Sequence, residues 1–248
     1  MNFSNMQLVI DIGNSVCKAA VFEQNALLDK YSSKNFSDKF FTDILKKYTS
    51  IKTAIYSTVR DKNEELIKIL NDKAIVTYFF DEKIKLPIEI LYKSRETLGT
   101  DRIAAAAGAY ELYKGNNILI IDLGTAITID FVSTKGQYEG GIISPGLNIR
   151  FRALHKFTKK LPLLKPSEIS GLMGKSTAEA ITLGVQNGIV FEIEQYILRY
   201  SEKYNDLKTV ITGGDADFFV KRLKNTIFAD SNLVLKGLNN ILLYNSKI

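Results

Sequence analysis

The sequence predicts a duplicated α/β protein, and three observations support this fold class. Two segments, LVIDIGNS at 8–15 and LIIDLGTA at 119–126, share three apolar residues, an aspartate, an apolar residue and a glycine. Each segment is followed by strand-forming residues around a short polar break, which is typical of a β-hairpin. Strands and helical segments then alternate in both halves, as they do in α/β proteins. A long repeat with two members indicates a duplicated domain rather than a solenoid.

The first half begins with the predicted hairpin and continues with strand and helix in alternation. A helix over 61–72 is predicted because Leu66, Ile69 and Leu70 recur at helical spacing. A second helix is predicted at 101–113, where DRIAAAAGAYELY contains a run of small residues that allows close packing. The predicted strands of this half are 8–12, 18–22, 26–31, 53–59 and 75–80.

The second half repeats the same order of elements. A long helix is predicted over 176–204, and a short helix over 215–223 follows the paired glycines Gly213 and Gly214. No linker rich in proline or serine separates the halves, so we expect a domain 1–114 and a domain 115–248 that are closely packed. The predicted strands of this half are 117–124, 126–132, 138–146 and 208–214.

The composition excludes several kinds of site. The chain has 248 residues, one cysteine and one histidine, which rules out a disulfide within the chain and a zinc cluster of cysteines and histidines. We also expect no Ser-His-Asp triad. Cys17 lies in a predicted strand and is expected to be a small core residue, and His155 is expected at the surface. The absence of a disulfide framework favours a reducing compartment.

Charge and hydropathy indicate no nucleic acid partner and no membrane segment. The net charge is +6, but the lysines are scattered instead of being concentrated with arginines on one element, so they predict a solvated surface. No apolar run reaches the ~18 residues of a membrane span, and the N-terminus lacks the pattern of a signal peptide. We therefore expect a cytoplasmic protein.

Each repeated segment carries polar residues at the end of a buried strand, the edge at which α/β proteins bind ligands. The turn Gly13–Ser15 offers backbone N–H groups and a hydroxyl that suit phosphate, and Lys18 follows. Asp11 repels phosphate, so we expect it to hold a metal ion that the phosphates share, usually through water. Asp122 and Thr125 offer a second carboxylate and hydroxyl. For each loop, a plain turn after a strand is the structural alternative.

A third motif, LGTDRIAAAAGAY at 98–110, places an aspartate beside an arginine at the start of a predicted helix. Asp101 suits a helix cap, and Arg102 suits a surface partner for Glu96. In the functional interpretation, Asp101 orients a substrate hydroxyl and accepts its proton, and Arg102 binds a substrate carboxylate. The absence of a GxxxxGK[ST] motif excludes a P-loop enzyme.

The motifs DIGNS, Tyr92, GTDR, DLGTAITID, GGIISPG and STAEAI together resemble the type III pantothenate kinase family, in order and spacing over nearly the whole chain. The resemblance implies two ribonuclease H-like domains of the actin-like ATPase and sugar kinase superfamily, with the nucleotide in the cleft between them. The chain departs from the common family pattern at Ser15, where threonine is usual, and at Thr100, where alanine is usual.

The resemblance implies ATP-dependent phosphorylation of pantothenate to 4'-phosphopantothenate, the first step of coenzyme A synthesis. It implies Asp101 as proton acceptor, Asp122 as ligand of a monovalent cation (K⁺ or NH₄⁺), and Asp11 as a Mg²⁺ ligand through water. It further implies a homodimer in which Thr177 reaches the pantothenate site, from the neighbouring subunit. The implied ATP contacts are Asp11, Ile12, Gly13, Asn14, Ser15, Val16, Cys17, Lys18 and Thr125. The implied pantothenate contacts are Tyr92, Gly99, Thr100, Asp101, Arg102 and Thr177.

Two alternatives stay open from the sequence alone. One is a regulatory or binding homologue without catalysis, which is expected to have lost Asp11, Asp101 or Arg102; the chain has all three. The other is a different small-molecule kinase or phosphatase of the same superfamily. The segment Gly99–Arg102 together with Tyr92 argues against it, because this set resembles the pantothenate site.

Overall fold

The chain forms two compact units in a computed structural model that describes residues 5–13, 16–34, 38–58, 63–224 and 227–246. The first unit consists of Met1–Leu112 and Asn232–Ile248, and the second of Tyr113–Ser231. Asn14 and Ser15, two of the expected ATP contacts, lie outside the described residues.

The predicted strands and helices occur in the predicted order, and the structure adds elements at 38–47, 89–90, 147–157, 228–229 and 233–246 that were not predicted. In chain order, the strands are β1 (Met6–Ile12), β2 (Cys17–Glu23), β3 (Ala26–Ser33), β4 (Ile51–Thr58), β5 (Val76–Phe79), β6 (Glu89–Ile90), β7 (Ile118–Leu123), β8 (Ala126–Val132), β9 (Gln137–Pro145), β10 (Lys208–Thr212) and β11 (Phe228–Ala229). The helices are α1 (Asp38–Lys47), α2 (Glu64–Asp72), α3 (Thr100–Leu112), α4 (Leu147–Phe157), α5 (Thr177–Lys203), α6 (Ala216–Val220) and α7 (Leu233–Ser246), with a short 3-10 turn over Arg95–Thr97.

The two units have the same sheet topology. In the first unit the strand order is β3-β2-β1-β4-β5, and in the second unit it is β9-β8-β7-β10-β11. In each unit the first strand pairs antiparallel with the next strand along the chain, and parallel with the strand on its other side. The repeated sequence segments are β1 and β7, the central strands of the two sheets. The predicted duplication is therefore confirmed at the level of strand order and direction.

In the first unit, alternate residues of the sheet face two different layers of helices. Ile10 and Ile12 of β1 and Tyr56 of β4 belong to a core cluster with buried residues of α1 and α2. Asp11 and Ser57 are the neighbours of these residues in sequence, so their side chains point to the opposite face. There α7 packs against β1, β2 and β4, and α3 packs along α7.

The last helix belongs to the first unit, whereas the sequence analysis assigned 115–248 as a whole to the second. The reason is close packing between α3 and α7. A Cβ on Gly108 would lie 2.7 Å from the Leu233 carbonyl oxygen, and a Cβ on Gly237 would overlap the Ala104 carbonyl. The two helix backbones thus approach each other at glycine, which the small residues of α3 allow.

In the second unit, α4, α5 and α6 cover one face of the sheet. Leu119, Ile121 and Leu123 of β7 form a core cluster with residues of these helices. Asp122 lies between two of these residues, so its side chain points to the opposite face. No helix among the described residues is long and apolar enough to cross a membrane.

Candidate active site

Asp11 lies near the end of the central strand β1, between two polar neighbours. Its partner in β2 is Lys18, and its partner in β4 is Ser57. Residues directly opposite one another in neighbouring strands share a face of the sheet. Gly13 follows the strand, and its N–H donates to the Val16 carbonyl at 3.1 Å. The loop therefore presents a carboxylate and an ammonium group side by side.

The surroundings of Asp11 change its acidity. Burial raises the pKa of Asp11 to about 6, Lys18 opposes this rise, and the negative charge of Asp101 adds to it. Asp101 therefore acts on Asp11 through its charge although 90 residues separate the two in sequence. Removal of a carboxylate from water and a nearby like charge both favour the protonated form. At neutral pH the Asp11 carboxylate is ionised, and it becomes protonated below about pH 6.

The other expected ATP contacts of this loop divide into buried and accessible residues. Ile12 and Cys17 face each other across β1 and β2, and both side chains are buried in the core. Cys17 is thus the small core residue that the sequence predicted. Lys18 is exposed, and Val16 and Gly13 are partly exposed. Ile12 and Cys17 therefore have only backbone groups to offer a ligand.

Asp101 is the second residue of α3 and is exposed. Its Oδ1 accepts a hydrogen bond of 2.8 Å from the Arg102 N–H, so the carboxylate bonds with the N–H group of the next residue in the first helical turn. A Cβ on Gly99 would collide with this Oδ1. The glycine of the GTDR motif thus leaves room for the carboxylate.

Arg102 is buried, with 7% of its surface exposed, and it lies beside Tyr92. The guanidinium carbon is 5.8 Å from the centre of the Tyr92 ring. The structural alternative of a surface partner for Glu96 is wrong, because Arg102 is an interior residue while Glu96 is exposed. The structure brings together five of the six expected pantothenate contacts, namely Tyr92, Gly99, Thr100, Asp101 and Arg102.

Ser57 joins this group and was missed in the sequence. It is 1% exposed, and its Oγ donates to Thr100 Oγ1 at 3.1 Å. The segment TAIYSTV reads only as a strand, and the sole signal was a serine near the carboxyl end of that strand, the edge at which ligands bind.

In the second unit, Asp122 occupies the position that corresponds to Asp11, with different neighbours. Its partners are Thr128 in β8 and Thr212 in β10. Gly213 follows β10 with φ +102°, and a Cβ there would meet both the Leu123 carbonyl oxygen and Asp122 Oδ1. Only glycine suits this position, because the backbone is left-handed and runs against the carboxylate.

Thr125 is exposed in the turn between β7 and β8. Its carbonyl accepts a hydrogen bond of 3.1 Å from the Gly146 N–H, at the end of the GGIISPG segment. Arg150 holds that segment by donating to the Pro145 carbonyl at 2.8 Å and to Ser144 Oγ at 2.9 Å, while it forms an ion pair with Glu192. The segment that bonds to the Thr125 carbonyl is thus held by Arg150 of α4, which pairs with Glu192 of α5.

Thr177 is exposed at the first position of α5. Ser176 caps this helix by accepting a hydrogen bond of 3.2 Å from the Glu179 N–H, and Glu179 accepts one of 2.7 Å from the Lys175 N–H. The Ser176 cap and the bond between Glu179 and the residue before the cap together fix where the helix starts. The Thr177 hydroxyl is therefore held at the surface of the second unit.

The donor sets suit the expected ions. Mg²⁺ is commonly held by one or two carboxylates together with water and substrate phosphates, which agrees with a single partly exposed carboxylate at Asp11. The described residues contain no group of three or more His, Cys, Asp or Glu that could hold a metal on its own. Asp122, with a threonine on either side, offers the oxygen ligands that a hard monovalent cation needs.

Comparison with known proteins identifies the family. The family model described as type III pantothenate kinase matches residues 7–199. The chain belongs to the type III pantothenate kinase family. Its curated relatives of that name include one from Azobacteroides pseudotrichonymphae, 45% identical over 98% of both chains. Another, from Bacteroides fragilis, is 44% identical over 97% of this chain and 99% of the relative.

Solved structures of distant proteins share the fold. A glucokinase from an Antarctic psychrotroph matches with a TM-score of 0.52 at 10% identity, over 97% of this chain and 99% of that one. Component A of (R)-2-hydroxyglutaryl-CoA dehydratase from Acidaminococcus fermentans also has a TM-score of 0.52, at 13% identity over 97% of each chain. The predicted fold of two ribonuclease H-like domains, as in sugar kinases and actin-like ATPases, is confirmed.

Proposed function

We propose that this chain transfers the terminal phosphoryl group of ATP to the primary hydroxyl of pantothenate and forms 4'-phosphopantothenate, the first step of coenzyme A synthesis. One observation carries the proposal, together with the family. In the first unit, the exposed Asp101 carboxylate acts through its charge on Asp11, and the adjacent Arg102 is buried beside Tyr92. A base, an anion-binding group and a phosphate loop are the parts that phosphoryl transfer to an anionic alcohol requires.

In this mechanism, Asp101 orients the acceptor hydroxyl and takes its proton as the new P–O bond forms. Its exposure leaves it accessible to the substrate, and its bond from the Arg102 N–H limits its rotation. Arg102 binds the pantothenate carboxylate through its planar donor pair, and Tyr92 packs beside it. Gly99 and Thr100 line the same site.

The β1 loop binds the phosphates of ATP. Gly13 and Val16 offer backbone groups, and Lys18 offers a positive charge next to Asp11. Asn14 and Ser15, the rest of the family motif, belong to the same proposed contact set. Mg²⁺ bound near Asp11 through water would neutralise phosphate charge. Domain 1–114 therefore supplies the phosphate loop and the pantothenate motif in this proposal.

The second unit supplies further ATP contacts and the cation site. Asp122 would hold K⁺ or NH₄⁺, which would add positive charge to the ATP phosphates. Thr125 contacts ATP from a turn that Gly146 and Arg150 support. Gly213 and Gly214 follow β10 at the adenosine side.

The active enzyme is a homodimer in the cytoplasm in this proposal, and the neighbouring subunit's copy of the Thr177 segment completes the pantothenate site. Large apolar side chains are exposed on the second unit, which supports a subunit interface there. Phe157, Leu172 and Met173 are 80%, 85% and 83% exposed. Sedimentation or light scattering at micromolar concentration is expected to give twice the chain mass, and a stable monomer would argue against the dimer.

A phosphorylation assay tests the function. Purified protein is incubated with ATP, Mg²⁺ and K⁺, with and without pantothenate, and release of ADP is followed while the product mass is measured. We expect ADP release that depends on pantothenate, and an Asp101→Asn variant that turns over about 100-fold more slowly. Binding of pantothenate without turnover would instead indicate a regulatory or binding homologue without catalysis. Absence of both binding and turnover would point to another substrate.

A further inference from the structure

A partly buried hydroxyl pair joins the end of β4 to the beginning of α3. Ser57 Oγ donates to Thr100 Oγ1 at 3.1 Å, and Ser57 is 1% exposed. Ser57 is the last residue but one of β4, and Thr100 is the first residue of α3. The pair is therefore a direct side-chain link between the sheet and the first turn of a helix.

The link lies between the two carboxylates of the proposed mechanism. Ser57 is the parallel partner of Asp11, and Thr100 precedes Asp101. The strand register fixes Ser57 relative to Asp11, and the hydrogen bond fixes the first turn of α3 relative to Ser57. A rotation or shift of that turn would move Asp101 and Arg102 away from the β1 loop.

The first turn of α3 is also held by a backbone hydrogen bond of 3.2 Å from the Ile103 N–H to the Gly99 carbonyl. The tight packing of α3 on α7 extends from Ala104 to Gly108, which lie beyond the Thr100 hydroxyl along α3. The 3-10 turn over Arg95–Thr97, just before Thr100, is exposed. Leu98 and Ile103 are buried and anchor the chain by apolar contact, but such contacts are not directional. The hydroxyl pair adds a directional side-chain contact between β4 and the first turn of α3.

We propose that Ser57 is a positioning residue for phosphoryl transfer, acting through Thr100 to hold Asp101 where it meets the acceptor hydroxyl. The proposal rests on the proposed function, and it involves no contact between Ser57 and substrate. Catalytic groups lose rate steeply when they are displaced, so a lost link is expected mainly to lower kcat. A partly buried neutral hydrogen bond of this kind corresponds to about a three- to tenfold change in rate.

The first test is a double-mutant cycle in steady-state kinetics. Ser57→Ala removes the donor, and Thr100→Val removes the acceptor while it keeps the shape of the side chain. We expect each variant to lower kcat for pantothenate phosphorylation about three- to tenfold, with the KM for ATP almost unchanged. The double variant is expected to be no slower than the slower single variant, because each change breaks the same link.

The second test asks whether the link acts through Asp101. In an Asp101→Asn background, Ser57→Ala is expected to leave the residual kcat almost unchanged, since the group that it positions has gone. A purely structural role would lower kcat by the same factor in both backgrounds. The matched control is Thr97→Val, which removes an exposed hydroxyl pair in which Thr97 Oγ1 donates to Ser94 Oγ at 3.0 Å. We expect this control to keep the wild-type kcat.

The outcomes separate this inference from the proposed function. If the wild-type protein phosphorylates pantothenate and folded Ser57→Ala has the same kcat, the positioning role of Ser57 is overturned while the proposed function stands. Equal losses in the wild-type and Asp101→Asn backgrounds would also overturn it. If Ser57→Ala does not fold, Thr100→Val and its combination with Asp101→Asn provide the same comparison. A wild-type protein that does not phosphorylate pantothenate would overturn the proposed function, and this inference with it.

Discussion

The two aspartate loops have the same backbone connectivity but different surroundings. Asp11 and Asp122 both lie near the end of the central strand of a sheet, between an antiparallel and a parallel neighbour. Asp11 has Lys18 on its antiparallel side, and its pKa is raised by burial and by Asp101. Asp122 has Thr128 and Thr212 as neighbours, with the backbone of Gly213 against its carboxylate.

The difference gives one duplicated scaffold two different electrostatic environments around its carboxylates. The topology places a carboxylate at the ligand-binding edge of each sheet. The side chains next to it then determine what it binds. A lysine beside Asp11 suits phosphate and its divalent ion, whereas uncharged hydroxyls beside Asp122 leave the negative charge of the carboxylate for a cation. The predictions below test this division of roles, from the largest expected effect to the smallest.

The largest effect is expected on removal of the Asp11 charge. Asp11→Asn should lower kcat/KM for ATP by about 100-fold or more, since the phosphates lose their divalent ion in the transition state. The loss should be the same in K⁺ and in NH₄⁺, and steady-state kinetics at several Mg²⁺ concentrations would measure it. If high Mg²⁺ restored full activity in this variant, Asp11 would be only a minor determinant of metal binding.

A large effect on stability is expected at Gly213. Gly213→Ala places a Cβ against Leu123 and Asp122 at a left-handed backbone position, which we expect to cost about 2 kcal/mol or more of unfolding free energy. Gly214→Ala is the matched control, because a Cβ on Gly214 meets nothing within 4 Å. Urea unfolding of both variants provides the measurement. Equal stability of the two variants would contradict the close contact of the Gly213 backbone with Leu123 and Asp122.

A tenfold effect is expected from the choice of monovalent cation. Replacement of K⁺ by Na⁺ should lower kcat by about tenfold in the wild type, which corresponds to about 1.4 kcal/mol. In Asp122→Asn the activity should already be low in K⁺, and the difference between the two salts should disappear. Asp11→Asn should keep the ratio between the salts. Equal activity in K⁺ and Na⁺ for the wild type would contradict a cation site at Asp122.

Much of this arrangement can be predicted from sequence, because it depends on local patterns. Apolar runs separated by polar breaks predicted both hairpins. The repeated aspartate and glycine predicted the two loops that follow β1 and β7. Helix α7 was not predicted, and its place in the first unit depends on a close approach between Gly108 and Gly237, which are far apart in sequence. Ser57 was missed for a similar reason, since its importance lies in a hydrogen bond to Thr100 across the fold.

The smallest expected effect is a gain in the free energy of unfolding for Asp11→Asn, the variant that is expected to lose the most activity. The pKa of Asp11 is about 6 in the native state against 3.8 for the ordinary carboxyl group, so the native state binds the proton more tightly than the unfolded chain. Its contribution to stability is therefore fully present below about pH 4, and it is lost as the pH rises through 6. Above pH 6 the ionised carboxylate opposes folding, and Asp11→Asn removes that cost.

We therefore expect Asp11→Asn to stabilise the protein without ATP and Mg²⁺ by about 1 kcal/mol at pH 8, after allowance for the partial exposure of the side chain. The gain should shrink towards pH 5, where the wild-type carboxyl group is protonated. Urea unfolding of both proteins from pH 5 to pH 8 measures the difference, and Asp217→Asn at an exposed position of α6 serves as the surface control. A gain that is constant over this range would mean that burial of charge is not its source. A gain that grows with pH would show that the charge at this loop is kept for binding at the expense of stability.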